Sequence, residues 1–228
     1  MKGLVKKILY INPLKRLREI VLRQSIKNND VSFLVPNCIG GIIFHDMGLR
    51  FLSPTVNLMM TQTDFFEFVM YLDDYLGGNF VFIHDNDSEC PCAELYPLNG
   101  RKYITVNFTH YRSEKEAIEK WNSRKKRINK NNLFVFLEER DGLTEKEIIK
   151  LAELSVKGIV VFTCNEYKDI PYTVYLPKYH NNGEVGNILK QNHFTGKREY
   201  EKYFDFVKWF NEADGYPYNV QEFVRNRF

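Results

Sequence analysis

The chain has 228 residues, of which 44% are hydrophobic and 15% aromatic, enough for a sizeable packed core and too apolar for a disordered segment. Thirty-two Lys and Arg against 29 Asp and Glu give a net charge of +3, a mixed surface that by composition is not that of a polyanion binder. Four cysteines, Cys38, Cys90, Cys92 and Cys164, fit a reduced cytosolic protein better than a disulfide scaffold. No apolar run reaches the roughly 20 residues of a spanning helix. Pro13 and Lys15-Arg16 follow the basic start too soon for a secretory leader, so a cytoplasmic location is expected. The organisation expected is a basic helical segment at 1–24 followed by a single α/β domain at 25–228.

Residues 1–24 carry Lys2, Lys6, Lys7, Lys15, Arg16, Arg18 and Arg23 against Glu19 alone. Leu14, Leu17 and Val21 fall at i, i+3 and i+7, a helical stripe. Because the stripe is short, the favoured reading packs its apolar side on the domain. The alternative is a basic amphipathic helix that meets an anionic membrane face or docks on a partner.

Residues 31–48 are the densest reactive stretch. Val31 to Val35 is β-favouring and is broken at Pro36. Asn37, Cys38, Gly40 and Gly41 then read as a polar, Gly-rich loop, and the apolar run Ile42 to Phe44 leads into His45, Asp46 and Gly48. Spacing alone favours a structural turn over an active site here, since a free Cys is usually a small buried hydrophobe.

Thr63 or Asp64 is expected to cap a helix to about Leu76 that ends at Gly77-Gly78. Phe80 to His84 reads as a buried strand and Asp85-Asn86-Asp87 as a turn. Cys90-Pro91-Cys92 reads as a loop without the second ligand pair that a metal site needs, so no metal is expected. Tyr103 to Thr109 alternates as a strand and runs into His110 and Tyr111. Ser113 and Glu116 form a capping-box pattern for a helix through about Asn129, whose inward stripe includes Trp121 and whose end carries Arg124 to Arg127. Leu133 to Leu137, Thr144 to Val156 and Ile159 to Phe162 spell strand, helix and parallel strand with short connections. Thr173 to Leu176 reads as an edge strand, 180–195 as a mobile loop with His180 and His193, and 198–211 as a final helix. Residues 220–228 add one more short helix.

This alternation predicts an α/β fold, a layered Rossmann-like sheet, mostly parallel or mixed, with helices on both faces. Ligands of such sheets bind beyond the carboxyl ends of the strands. The five strands end in Asn37-Cys38, His84-Asp85, His110-Tyr111, Glu139-Arg140-Asp141 and Thr163-Cys164-Asn165. The spacing before Tyr103 also allows one strand to turn the other way. Cys38 with His45 or with His110 is a candidate thiol–imidazole pair for covalent transfer, and His110 alone is a candidate base. Glycine-rich dinucleotide and phosphate loops, the nucleophile elbow of hydrolases and the His-Glu-x-x-His zinc motif are all absent.

Asn-Cys-Ile-Gly-Gly-x-Ile-x-His-Asp-x-Gly at 37–48 resembles the opening motif of an uncharacterised bacterial domain family. His-Tyr-x-Ser-x-x-Glu-Ala-x-x-x-Trp-x-x-Arg-x-x-Arg-Ile at 110–128 and Asn-Leu-Phe-Val-Phe at 132–136 resemble it too, over roughly 30–212. Members are usually labelled exopolysaccharide biosynthesis proteins because they occur among surface-polysaccharide genes. The resemblance implies cytoplasmic sugar chemistry and marks Asn37, Cys38, Gly40, Gly41, His45, Asp46, His110, Trp121, Arg124 and Arg127 as motif positions. Pro36 departs from the small polar residue expected there.

The function expected is a transferase acting on a sugar or glycan precursor of surface polysaccharide, its donor an acyl group, nucleotide sugar or phospho-group. Cys38, His45 and His110 are the candidate catalytic residues. Asn37, Gly40, Gly41, Asp46, Tyr111, Arg124, Arg127 and Asp141 are the candidate substrate-binding residues, the arginines because planar guanidinium matches phosphate. No particular cofactor is implied. The alternative is a non-catalytic binding or scaffold protein of the same pathway, with residues 1–24 contacting the membrane or the polysaccharide machinery. Nucleic acid is not expected as a partner, because acidic residues share the 113–129 helix and no stacking platform appears.

Overall fold

The computed structural model describes residues 12–84 and 90–225. Lys2, Lys6 and Lys7, the Asp85-Asn86-Asp87 turn and the last three residues lie outside that range. Helix α1 (Pro13–Ser25) begins where the Asn12 side chain accepts the Leu14 and Lys15 amides, with Pro13 in the first turn. Strand β1 (Ser32–Leu34) is buried throughout.

Past Pro36 the chain does not make the expected loop. It turns at once into helix α2 (Ile39–Met47), which absorbs both Gly40-Gly41 and the Ile42 to Phe44 run. The glycines serve close packing: a Cβ on Gly40 would lie 2.6 Å from Val35 Cγ2, and one on Gly41 2.8 Å from Asn57 Oδ1. Helix α3 (Gln62–Met70) is capped by Thr61, two or three residues earlier than the Thr63 or Asp64 expected, and breaks at Tyr71 before α4 (Leu72–Leu76).

Strands β2 (Asn79–Ile83), β3 (Cys92–Tyr96) and β4 (Ile104–Asn107) form an antiparallel sheet of their own, in that order. This corrects two expectations. The strand leading to His84 is not buried: Phe80 and Phe82 pack on Phe108 while Val81 and Ile83 face solvent, as one face of an antiparallel sheet commonly does. The segment after Cys90-Pro91 is also a strand, since Ala93 and Leu95 are buried alternately with Glu94. Helix α5 (Glu114–Lys125) is capped by Ser113, but Glu116 accepts the Arg112 amide rather than closing the box on Ser113, and the helix stops short of Asn129.

The strand–helix–strand unit forms as β5 (Leu133–Glu138), α6 (Glu145–Lys150) and β6 (Gly158–Thr163), with a complete Thr144/Glu147 capping box. Helix α6 gives way at Leu151 to a 3-10 turn, short of the expected Val156. Strand β7 (Thr173–Tyr175) follows. A 3-10 turn at Pro177–Asn182 runs into the start of the loop expected at 180–195, and another at Glu199–Lys202 opens the segment expected as the final helix. The single helix expected at 198–211 is split, because Asp205 caps a new start at α7 (Phe206–Glu212). The short helix expected at 220–228 is a 3-10 turn at Gln221–Phe223.

The main sheet is parallel throughout, in the order β1-β5-β6-β7. The molecule is therefore mixed α/β, with a parallel four-stranded sheet and a small antiparallel one. The five strands expected in one sheet are divided between two. On one face of the parallel sheet Phe33, Phe134, Phe136 and Phe162 meet Phe206, Trp209 and Phe210, with Phe134 and Trp209 centroids 4.8 Å apart. Leu34, Leu133 and Val135 point the other way, as strand alternation requires, toward Val69 and Tyr71 at the end of α3. Helix α3 also contacts β4 and so spans the two sheets.

Helix α1 is mounted in an unexpected orientation. Its Leu14, Leu17, Ile20 and Val21 are 43–57% exposed, and only Leu22 of the helix packs on the core. What attaches it is charge. Arg18 reaches Asp46 of α2 at 3.0 Å and Glu201 through its other nitrogens, and Arg198 joins the same Asp46 carboxylate at 2.8 Å. The expectation that the apolar stripe packs inward is overturned, because the residue that pulls the helix down lies beside the stripe rather than within it. Among the described residues no helix is long and apolar enough to cross a membrane.

Candidate functional site

Two short backbone connections bring the principal residues together. Met60 N–H donates to the Pro36 carbonyl at 2.8 Å, fixing the exit of β1. Next to it Met59 exchanges both backbone hydrogen bonds with Asn107 at the end of β4 (2.8 and 2.9 Å). One extended dipeptide thus ties a point two residues before Cys38 to a point three residues before His110. The result is a contact between chain segments 72 positions apart: Cys38 Sγ lies 3.2 Å from His110 Nε2. Thr109 Oγ1 is 3.9 Å from the same sulfur and donates to the Asn57 carbonyl at 3.3 Å.

Cys38 occupies the N-cap of α2. The first amides of a helix lack intrahelical acceptors and carry partial positive charge. Asn37 Oδ1 takes one of them, Ile39 N–H, at 3.0 Å, which orients the Asn37 side chain. Its Nδ2 then donates to Glu138 Oε2 at 2.6 Å. Glu138 ends β5, the neighbour of β1, and is only 2% exposed. Burial pushes its carboxyl up to about 7, a rise that the Asn37 hydrogen bond partly offsets. Its backbone N–H is held by Gln62 Oε1 at 3.0 Å, at the start of α3.

A cleft of about 260 Å³ opens beside these groups, lined by Asn37, Ile39, Glu138, Arg140 and the 186–189 segment. Carboxamides, a carboxyl and a guanidinium there share the wall with Ile188 and Leu189.

The other candidate residues are placed elsewhere. His45 is seven residues along α2 from Cys38, about 10 Å by helix rise, and its ring is exposed, 3.5 Å from Asp46 Oδ1. Asp46 is buried with both oxygens engaged by Arg18 and Arg198, whose charges and hydrogen bonds outweigh burial and hold its carboxyl below the usual range. Tyr111 is buried, its hydroxyl donating to the Val56 carbonyl at 3.1 Å. Arg124 bonds the same carbonyl at 2.9 Å and the Tyr111 hydroxyl, so both residues brace the 55–57 segment next to Gly41. Arg127 folds back on Ser123 of its own helix. Asp141 sits in the turn after β5 with φ +50°, paired with its neighbour Arg140. Gly40 and Gly41 form the first turn of α2, directly after Cys38.

Cys164 offers an instructive contrast. Its N–H and thiol both donate to Glu139 Oε2 (2.7 and 3.3 Å), whose other oxygen accepts from Asn165 and Tyr167. Burial and the adjacent carboxylate push that thiol up to about 11, so its sulfur stays protonated and fixed in a structural knot. Sequence reasoning missed Glu138 and Thr109 as site members. The signal for Glu138 was legible, because an ionisable residue closes an otherwise unbroken apolar strand, Leu-Phe-Val-Phe-Leu-Glu. Nothing local marked the Met59–Met60 link. Among the described residues no group of three or more His, Cys, Asp or Glu is arranged to hold a metal ion.

A family model described as a domain of unknown function (DUF1919) matches residues 11–211, and the chain belongs to that family. It is also 32% identical over 214 residues to an uncharacterized protein of Haemophilus influenzae, covering 89% of this chain and all of the relative.

Proposed function

We propose that this member of the DUF1919 family is a cysteine-dependent transferase that moves an acyl group onto a hydroxyl of a sugar or glycan precursor, in the cytoplasmic assembly of bacterial surface polysaccharide. The observation that carries the reading is the 3.2 Å contact between Cys38 Sγ and His110 Nε2 at the start of a helix. A thiol held by an imidazole is the arrangement that covalent acyl transfer needs. The sugar and its pathway rest on the motif resemblance, and the cleft beside Asn37 supplies room for an acceptor.

In this scheme His110 accepts the Cys38 thiol proton as sulfur attacks the carbonyl carbon of an acyl donor. The developing oxyanion faces the amide-rich start of α2, a preorganised source of positive potential. The donor's leaving group departs with the proton returned by His110, which leaves a thioester on Cys38. A hydroxyl of the acceptor, seated by Asn37 and the cleft, then gives its proton to His110 as it attacks the thioester. The new ester leaves and the thiol re-forms. Glu138 lies behind Asn37, and its hydrogen bond fixes the orientation of the carboxamide at the cleft.

The test is peptide-resolved mass spectrometry after incubation with acyl thioester and activated ester donors. A donor-derived mass on Cys38 that disappears when a sugar acceptor is added supports the reading. Tight binding of donor or acceptor that is unchanged in Cys38→Ser, with no adduct, overturns it in favour of a non-catalytic binding protein of the pathway.

A further inference from the structure

The outward face of α1 remains to be accounted for. A surface helix normally turns its apolar stripe to the core; this one turns Leu14, Leu17, Ile20 and Val21 to solvent while Arg18, beside the stripe, anchors the helix to the body. The patch extends beyond the helix. Asn12 Nδ2 donates to the carbonyls of His193 and Phe194 at 2.6 and 2.7 Å, which holds the 192–196 turn at the start of α1. Phe194 there is 80% exposed. Lys15 of α1 packs its stem against Gly196, next to Lys197, and Lys15, Arg16 and Lys197 are all exposed.

We propose that this face, the α1 stripe together with Phe194 and the surrounding cations, docks the protein on an anionic lipid bilayer, the helix lying in the plane of the headgroups. Apolar side chains interleaved with Lys and Arg are what an interfacial helix presents: the stripe enters the acyl boundary and the cations meet the lipid charge. Charge decides between this occupant and a second copy of the chain. Two copies joined through this face would bring cation against cation, whereas an anionic surface complements it. The ionic clamp on Asp46 and Glu201 then has a clear use, since it holds the helix to the body without consuming its apolar side.

The experiment is vesicle co-sedimentation of the full chain. Wild type is compared with Leu17→Glu/Val21→Glu and with Lys15→Glu/Arg16→Glu, with thermal melts to confirm that the exposed substitutions leave the fold intact. Wild type should partition onto vesicles containing about 30% phosphatidylglycerol at least tenfold better than onto pure phosphatidylcholine, and should be released as salt rises. Each double variant should lose at least tenfold in partitioning. Equal binding to neutral and anionic vesicles, or none to either, overturns the proposal. So does undiminished binding by Leu17→Glu/Val21→Glu. A wild-type dimer in solution that the same variant converts to monomer assigns the face to a second copy and equally overturns it. None of these substitutions touches Cys38 or His110, so the outcome is separate from that of the transferase reading.

Discussion

Replacing Asp46 should detach the anchor that mounts α1 and the 198–202 turn on α2. Asp46 is 2% exposed and receives three charge-assisted hydrogen bonds, one from Arg18 at 3.0 Å and two from Arg198 at 2.8 and 3.2 Å. After Asp46→Ala, Arg18 keeps Glu201, but Arg198 keeps only a weak contact to the Leu189 carbonyl at 3.5 Å. Removing one partner of a buried ion pair costs about 3–5 kcal/mol because the other charge is stranded. Arg18 and Arg198 retain some solvent access, which puts the expected loss near about 3 kcal/mol. At about 2–4 °C per kcal/mol for a chain this size, the melting temperature should fall by about 6–12 °C.

Asp46→Asn, which keeps one acceptor and loses the charge, should cost less. The pH dependence gives the sign. The folded Asp46 carboxyl titrates below its ordinary value, so its stabilisation is present above about pH 4 and is lost as pH falls through the folded value. The gap between wild type and Asp46→Asn should therefore narrow in acid. The assay is thermal melting of both variants and of an Arg18→Ala/Asp46→Ala cycle across that pH range. A melting temperature within about 1 °C of wild type for Asp46→Ala would refute the ionic attachment of α1.

Three further outcomes follow from the same geometry. His110→Ala should lower transfer by about 10²–10⁴-fold, the usual worth of a positioned acid–base group, with little change in melting temperature because the residue is exposed; parallel activity and melting measurements check both. Glu138 prefers to stay protonated when folded, so between about pH 4.5 and 7 the native state binds the extra proton and stability declines as pH rises. Glu138→Gln should remove that decline, gaining on wild type by up to about 3 kcal/mol at pH 8 relative to pH 5, as read by denaturant titration at the two values. Gly40→Ala sets about 1 kcal/mol of helix propensity against overpacking of about 1–3 kcal/mol where its Cβ meets Val35; a net loss of stability is expected, restored in part by Val35→Ala.

The parallel βαβ unit was legible because β5 and β6 are unbroken apolar runs flanking a capped, amphipathic helix. The division into two sheets was not. Nothing in Phe80 to His84 says whether a strand belongs to the first sheet or to a hairpin, and Cys92–Tyr96 hid its alternation behind a Cys-Pro-Cys turn. Helix α2 was read as a loop because Gly-Gly is a strong breaker in isolation, while the contact with Val35 that makes small residues necessary is tertiary. In the site, Cys38 and His110 were identifiable as candidates by residue type, but the choice between His45 and His110 depended on the Met59–Asn107 bridge. Asp46 lay beside Cys38 in sequence and drew a functional reading for that reason. Its arginine partners are 28 and 152 positions away.

The most direct test of the account is the rate of Cys38 alkylation by iodoacetamide, resolved from Cys164 by peptide mapping, in wild type and in His110→Ala. Cys38 should react at least tenfold faster than Cys164, whose thiol is held protonated by burial and Glu139, and His110→Ala should slow Cys38 severalfold while leaving Cys164 unchanged. Equal rates at the two cysteines, or a Cys38 rate indifferent to His110, would contradict a thiol–imidazole site at this helix start.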